Sequence, residues 1–175
     1  MNMTEIYTSR KLESIIPELL IQNESFGKEN PFGKWNATVF FVSRKKCLLV
    51  TNSIARYSLI LSDIRKSDFA NISEIFANTF VDQLKLEAIP FNELNARKLI
   101  GEITFHKTDN DRTIIGTQNY LLEKIDILKY EFGPFENWDF RGINKRMNRV
   151  PYKQLGWSFP KERMKILLEE IKASA

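Results

Sequence analysis

One cysteine and one histidine in 175 residues exclude a good deal of chemistry. Cys47 has no partner for an internal disulfide, and its setting in Cys47-Leu48-Leu49-Val50 reads as a small core residue. A lone histidine and a lone cysteine do not fill a His/Cys zinc cage. The chain also has no G-x-S-x-G, no phosphate loop with its Gly-Lys pair, and no G-x-G-x-x-G after a strand. A histidine-based triad has only His106 to draw on, and its alternation with Phe105 predicts the opposite, solvated face of a strand. Asp109 and Asp111 share a turn, but a metal there needs a further carboxylate from elsewhere, and the sequence names none. No catalytic residue, metal ligand or cofactor site is therefore assigned.

Long hydrophobic runs are missing too. None approaches the ~20 residues that span a bilayer, and Met1 to Glu5 lacks the basic-then-apolar order of a secretory leader. The expectation is a cytoplasmic protein with no membrane partner. Charge of either sign is modest: 26 Lys and Arg against 22 Asp and Glu give +4, which permits an anionic partner without demanding one.

What is present is an ordinary globular composition, 43% hydrophobic and 27% charged, at the length of one domain. The chain is organised around residues 35–61. Trp35 to Val42, Cys47 to Thr51 and Arg56 to Leu61 are rich in β-branched and aromatic residues and separated by polar turns, the pattern of an antiparallel meander. Its middle strand is apolar on both faces, so layers must cover each side.

Around it, Ile6 to Thr8 reads as a strand running into a helix striped by Leu12, Ile15, Ile16 and Leu19, with Pro17 forcing a kink or restart. Residues 22–34 read as loop. Further helices are expected from Ser67 or Asp68, from Asn92 to Gly101, from about Thr113 to Gly133-Pro134, and from Pro160. Ile103 to Lys107 reads as another strand. Three consecutive strands leave no room for crossover helices. The expectation is α+β: a single domain, residues 1–175, with a mainly antiparallel sheet of four or five strands, the meander at its centre and amphipathic helices packed against it. Phe41, Leu49, Leu59, Phe76, Ile125 and Leu128 are predicted core.

Two segments are dense in polar and charged groups. In the first, Lys107 to Asn119, a strand passes into a helix with Gly116 near the helix start. Backbone N–H groups there would receive an anion, with Arg112 and Lys107 beside them. The structural alternative has Asp109 or Asp111 capping the helix and Gly116 allowing close packing on the sheet. In the second, Arg141 to Lys153, five cations occur with no acid. If it is helical, Arg141, Lys145 and Arg149 share a face, and the flanking Trp138, Phe140, Tyr152 and Trp157 would stack bases while the cations meet phosphates. The alternative is a solvated charged face whose aromatics turn inward.

The order of motifs resembles the bacterial family known as domain of unknown function 6933. The matching pieces are the strand-helix around Thr8 to Leu12, Trp35-x-Ala37, Asn52-x-x-x-Arg56, the run Lys107 to Asn119, Asn148-Arg149-x-Pro151, Leu155-Gly156 and Pro160. The likeness covers residues 5 to 162. One departure is Gln118, where the pattern expects an apolar residue such as Met. The resemblance transfers no mechanism but directs attention to Asn52, Arg56, Arg112, Gly116, Asn119 and Asn148.

Three functional expectations follow. The first is a non-catalytic binding or regulatory module of a bacterial accessory system, with a protein or anionic ligand as partner and nucleic acid through the 141–157 segment. The second is an enzyme or small-ligand binder acting on a phosphorylated or nucleotide substrate at the 107–119 turn, with Lys107, Arg112, Gly116, Asn119 and Arg56 as its residues. The third is a small partner-bound protein of an accessory or defence locus. Convergence of Arg56, Arg112 and Asn119 in one pocket would favour the second, and their dispersal the first.

Overall fold

The computed structural model describes residues 2–22 and 29–175. The meander forms as expected: β3 (Trp35–Val42), β4 (Lys45–Asn52) and β5 (Ser58–Leu61) pair antiparallel in sequence order. Ser43 and Arg44 both take positive φ in the two-residue turn between β3 and β4, which matches the strand twist. Beyond the meander the sheet is parallel. β1 (Met3–Thr8) runs beside β3, β6 (Glu102–His106) beside β1, and the two-residue β2 (Leu20–Ile21) beside β6. The order is β2-β6-β1-β3-β4-β5, so the class is α+β but the six-stranded sheet is mixed and the meander occupies one half of it. The parallel half escapes a reading of local pairs because its strands meet only through connections that run over a face.

Both faces of the meander are covered. On one lie α1 (Arg10–Ile15), α2 (Ile72–Leu86), α3 (Glu93–Ile100) and α6 (Pro160–Ser174), which close on Trp35, Val39, Leu48, Val50, Leu59 and Phe105. Trp35 meets Phe76 and Phe80 edge-on, with ring centroids 5.0 and 5.8 Å apart. On the other lie α4 (Arg112–Phe132) and α5 (Phe140–Met147), packed through Leu121, Ile125, Ile143 and Met147 onto Phe40, Cys47, Leu49 and Ile60. Alternate residues of β4 thus feed opposite cores, and Cys47 is fully buried in the second with its thiol pKa pushed up by burial.

Helix boundaries follow the expected signals except at α2: the helix expected from Ser67 or Asp68 opens as a 3-10 stretch over Lys66–Asn71, and the α-helix starts at Ile72. Asn92 caps α3 by accepting the Asn95 N–H at 2.9 Å, and Gly101 and Gly133 end α3 and α4 at positive φ. Pro17 restarts the chain as a single 3-10 turn. Of the residues of the predicted 22–34 loop, 23–28 lie outside the described residues.

Three expectations are corrected. Phe41 is 39% exposed: it lies at the end of β3 beyond the helical layer, with the Lys11 ammonium 5.4 Å from its ring. Leu128 is half-buried at the edge of the second core. His106 is not solvated but 7% exposed, covered by Tyr7 of the neighbouring strand at a ring distance of 5.2 Å. Burial pushes its pKa down against a smaller upward pull from Glu5, and Thr104 shares a hydrogen bond with Nε2 at 2.9 Å.

Candidate functional site at the first turn of α4

Strands β1 and β6 are parallel neighbours, and both end at the same edge of the molecule. From β1 the chain turns into α1, whose Leu12 belongs to the first core. From β6 it turns into α4, whose Leu121 and Ile125 belong to the second. The two exits therefore diverge to opposite faces, and a crevice opens between them. Ser9, Arg10, Thr108, Asn110, Arg112 and Ile115 line it. Arg10 and Arg112 are exposed and have no carboxylate partner among the described residues.

The walls are tied together. Ser9 caps α1 by accepting the Leu12 N–H and donates its own N–H to Ala37 of β3 at 2.8 Å. Thr8 Oγ1 donates to the His106 carbonyl at 2.8 Å, and Glu13 reaches across to accept the Thr108 N–H. Asp111 caps α4, taking the N–H groups of Thr113 and Ile114. The structural alternative for this carboxylate thus holds, and it occupies donors that an anion at the helix end would otherwise use.

Behind the turn stands Lys34. Its ammonium pairs closely with Asp109 and reaches Asp111 at 3.3 Å, while Asn36 Nδ2 donates to the other Asp109 oxygen at 3.1 Å. Partial burial opposes the Lys34 charge, yet Asp109 and then Asp111 outweigh it and raise its pKa. Partial burial likewise works against the Asp111 carboxylate. Thr113, the Ile114 N–H and Lys34 together hold its pKa below the usual range. Both turn carboxylates are thereby committed to a structural tie between the start of β3 and the β6–α4 loop.

The sequence-derived site residues disperse. Lys107 and Asn119 are exposed and do not line the crevice. Gly116 is exposed, and a Cβ there would meet nothing within 4 Å, so it is not placed for close packing on the sheet. Only Arg112 lines the crevice. Arg56 lies on another flank of α4, 8% exposed, with Nη2 donating to Thr113 Oγ1 at 3.0 Å. Asn52 serves the β4–β5 turn, accepting from Ile54 and Ala55 N–H and donating to the Phe32 carbonyl. Gln118, the departure from the family pattern, is buried under the sheet, and its amide donates to the carbonyls of Asn36 and Leu49 at 2.9 and 3.2 Å.

The basic segment is mixed in character. Trp138 is buried and Phe140 half-buried in the second core, while Trp157 is 67% exposed at φ +63. Arg146 approaches Glu131 at 3.7 Å. Arg141, Lys145 and Arg149 have no carboxylate within ion-pair distance among the described residues. Arg149 lies just past the end of α5 rather than on its face.

Sequence reasoning missed Arg10 and Lys34. Lys34 directly precedes β3 and Arg10 opens α1 two residues after β1, and that nearness to strand ends was the available signal. No group of three or more His, Cys, Asp or Glu side chains among the described residues is placed to hold a metal ion.

Fold and crevice together define an α+β protein with a mixed sheet and an arginine-lined opening at the ends of two parallel strands. The chain belongs to the family described as domain of unknown function 6933, whose model matches residues 5–163. No curated protein matches the chain.

Proposed function

We propose that this protein is a non-catalytic binding or regulatory module that takes a small anionic ligand in the crevice between α1 and α4. One observation carries the reading. In open sheets of parallel strands, ligands bind outside the carboxyl ends where neighbouring strands send the chain to opposite faces. Here that position is lined by two arginines without carboxylate partners among the described residues. Arginine suits phosphate and carboxylate groups because its fork donates two parallel hydrogen bonds.

The enzyme alternative at the 107–119 turn is less well supported. Its two carboxylates are held by Lys34, Asn36 and the α4 cap, and Arg56 and Asn119 do not join Arg112. Titration calorimetry with inorganic phosphate, pyrophosphate and adenosine phosphates tests both readings. Saturable binding that loses one equivalent in Arg10→Ala and in Arg112→Ala, with melting temperature nearly unchanged, supports the module. Binding whose stoichiometry is the same in both variants as in the wild type, or none with any probe, refutes it. Turnover of a bound phosphate ester would move the assignment to the enzyme reading.

A cytoplasmic setting and a role in a bacterial accessory system belong to this reading. The first suits the unpaired, buried Cys47; the second rests on size and fold class. Pull-down from native lysate, analysed for protein and nucleic acid, tests the partner.

A second reading rests on the exposure of Trp157 near unpaired cations. In it, single-stranded nucleic acid is held by the 141–157 segment through stacking and phosphate contacts.

A further inference from the structure

Arg56 is the most heavily buried cation among the described residues that lacks a carboxylate within ion-pair distance. Its side chain is 8% exposed. Nη2 is satisfied by Thr113 Oγ1, but Nη1 is buried with no protein partner among the described residues. The Tyr152 hydroxyl is likewise buried without a partner, and it lies within electrostatic reach of Arg56 and of Tyr120 on α4. Two donors of hydrogen bonds, one of them cationic, are thus left open in the same region.

The backbone sharpens the point. Arg56 sits at φ +58, in the left-handed region that a glycine takes at no cost. The turn itself is built by Asn52, whose side chain accepts from Ile54 and Ala55 and whose carbonyl accepts the Arg56 N–H at 3.0 Å. Nothing in that turn requires an arginine side chain. A buried guanidinium facing only a hydroxyl is unfavourable unless a counter-charge completes it. Asp111, whose charge acts on it from a distance beyond an ion pair, is already committed to Lys34 and the α4 cap.

We propose that Arg56 and Tyr152, with the exposed Thr113 at its rim, form a partly buried binding site for an oxyanion group, phosphate, sulfate or carboxylate. The Arg56 Nη1 and the Tyr152 hydroxyl donate to its oxygens. This site is separate from the crevice, since none of the three residues lines that opening.

Thermal shift and calorimetry on the full chain, at constant ionic strength, use inorganic phosphate, sulfate and acetate against chloride. The expected result is a saturable rise in melting temperature with at least one oxyanion and none with chloride. Tyr152→Phe keeps the ring and removes the donor, and should weaken the oxyanion about tenfold, as loss of one hydrogen bond to a charged group does. Arg56→Gln should abolish the response. Arg10→Ala and Arg112→Ala should leave it intact, which separates this site from the crevice even if no ligand binds there. Preference for acetate over phosphate would assign a carboxylate ligand, and the reverse a phosphate. A wild-type protein indifferent to every oxyanion means a bound water only and overturns the proposal. So does a Tyr152→Phe variant that folds and binds as tightly as the wild type, whatever Arg56→Gln does to folding.

Discussion

Asn148 pairs with Ser58 as a neighbouring strand would: its Oδ1 accepts the Ser58 N–H at 2.7 Å and its Nδ2 donates to the Ser58 carbonyl at 2.9 Å. One turn earlier, Asn144 Oδ1 accepts the Ile60 N–H at 2.9 Å, and its Nδ2 donates to Gln83 of α2. Two amides four residues apart, Asn144 on α5 and Asn148 at its C-cap, therefore close the outer edge of β5. Unpaired strand edges template association with other chains, and here a helix covers one instead. Asn148→Ala leaves a buried N–H and a buried carbonyl without partners. It should cost about 2–6 kcal/mol at ~1–3 kcal/mol for each stranded group. Urea unfolding measures this, and light scattering should show concentration-dependent association. A variant as stable and monomeric as the wild type would mean that the edge is satisfied by other means.

That relationship also marks what the sequence can and cannot show. The meander was legible because its pairings are local and its turns polar. Helix ends were legible from Asn92, Gly101, Gly133 and Pro160, whose chemistry acts within one turn. Asn148 stood out as a polar residue of the family pattern, but its partner lies 90 residues away, and nothing local says that it serves a strand edge. His106 and Phe41 failed for a related reason. Alternation assigns a residue to a face, whereas burial depends on whether a remote element covers that face. The crevice was half legible: Arg112 was in view, while Arg10 belongs to the other strand end and joins it only through the parallel pairing of β1 with β6.

Tyr57 and Glu87 form a buried pair in which the phenol donates to the carboxylate, and Glu87 Oε1 has no partner among the described residues. Burial raises the Glu87 pKa. Hydrogen bonds from Tyr57 and Gln83 and the charges of Lys161 and Arg149 oppose that rise without cancelling it. A carboxyl whose folded pKa lies above its unfolded value contributes its stability fully below the unfolded value and loses it as pH rises through the folded one. The wild type should therefore lose stability from the usual carboxylate range upward. Glu87→Gln should remove that part of the slope, so the difference in melting temperature in favour of the variant should widen with pH. Parallel pH profiles of the two proteins would refute the assignment.

Gly101 and Gly133 have nearly the same backbone, at φ +58 and +67, but different surroundings. A Cβ on Gly101 would sit 1.9 Å from the Asn2 carbonyl oxygen, whereas one on Gly133 would meet nothing within 4 Å. Gly133→Ala should cost about 1–3 kcal/mol from backbone strain alone, since φ +67, ψ −122 is a region open almost only to glycine. Gly101→Ala should cost about 3 kcal/mol or more, because strain and displacement of the Asn2–Glu102 connection add. Chemical denaturation of both variants checks the contrast, and equal costs would show that the N-terminal residues yield freely.

Trp157 provides the test of the nucleic-acid reading because stacking and charge leave different signatures. Its indole is 67% exposed at φ +63, a conformation uncommon for a bulky residue, beyond the exposed Arg149 and Lys153. If the segment holds single-stranded nucleic acid, binding should quench tryptophan fluorescence and weaken linearly in log–log form with salt, by about 0.7 per phosphate neutralised. Replacing Arg141, Lys145 and Arg149 with Glu should remove binding. Trp157→Ala should weaken it by about 1–3 kcal/mol per stacked base while leaving the salt slope unchanged. A Trp157→Ala effect that vanishes at high salt would mean that the indole acts only through the local charge. Binding that survives the triple replacement would place any nucleic-acid site elsewhere. The aromatics of this segment would then be divided between core packing, as for Trp138, and plain exposure.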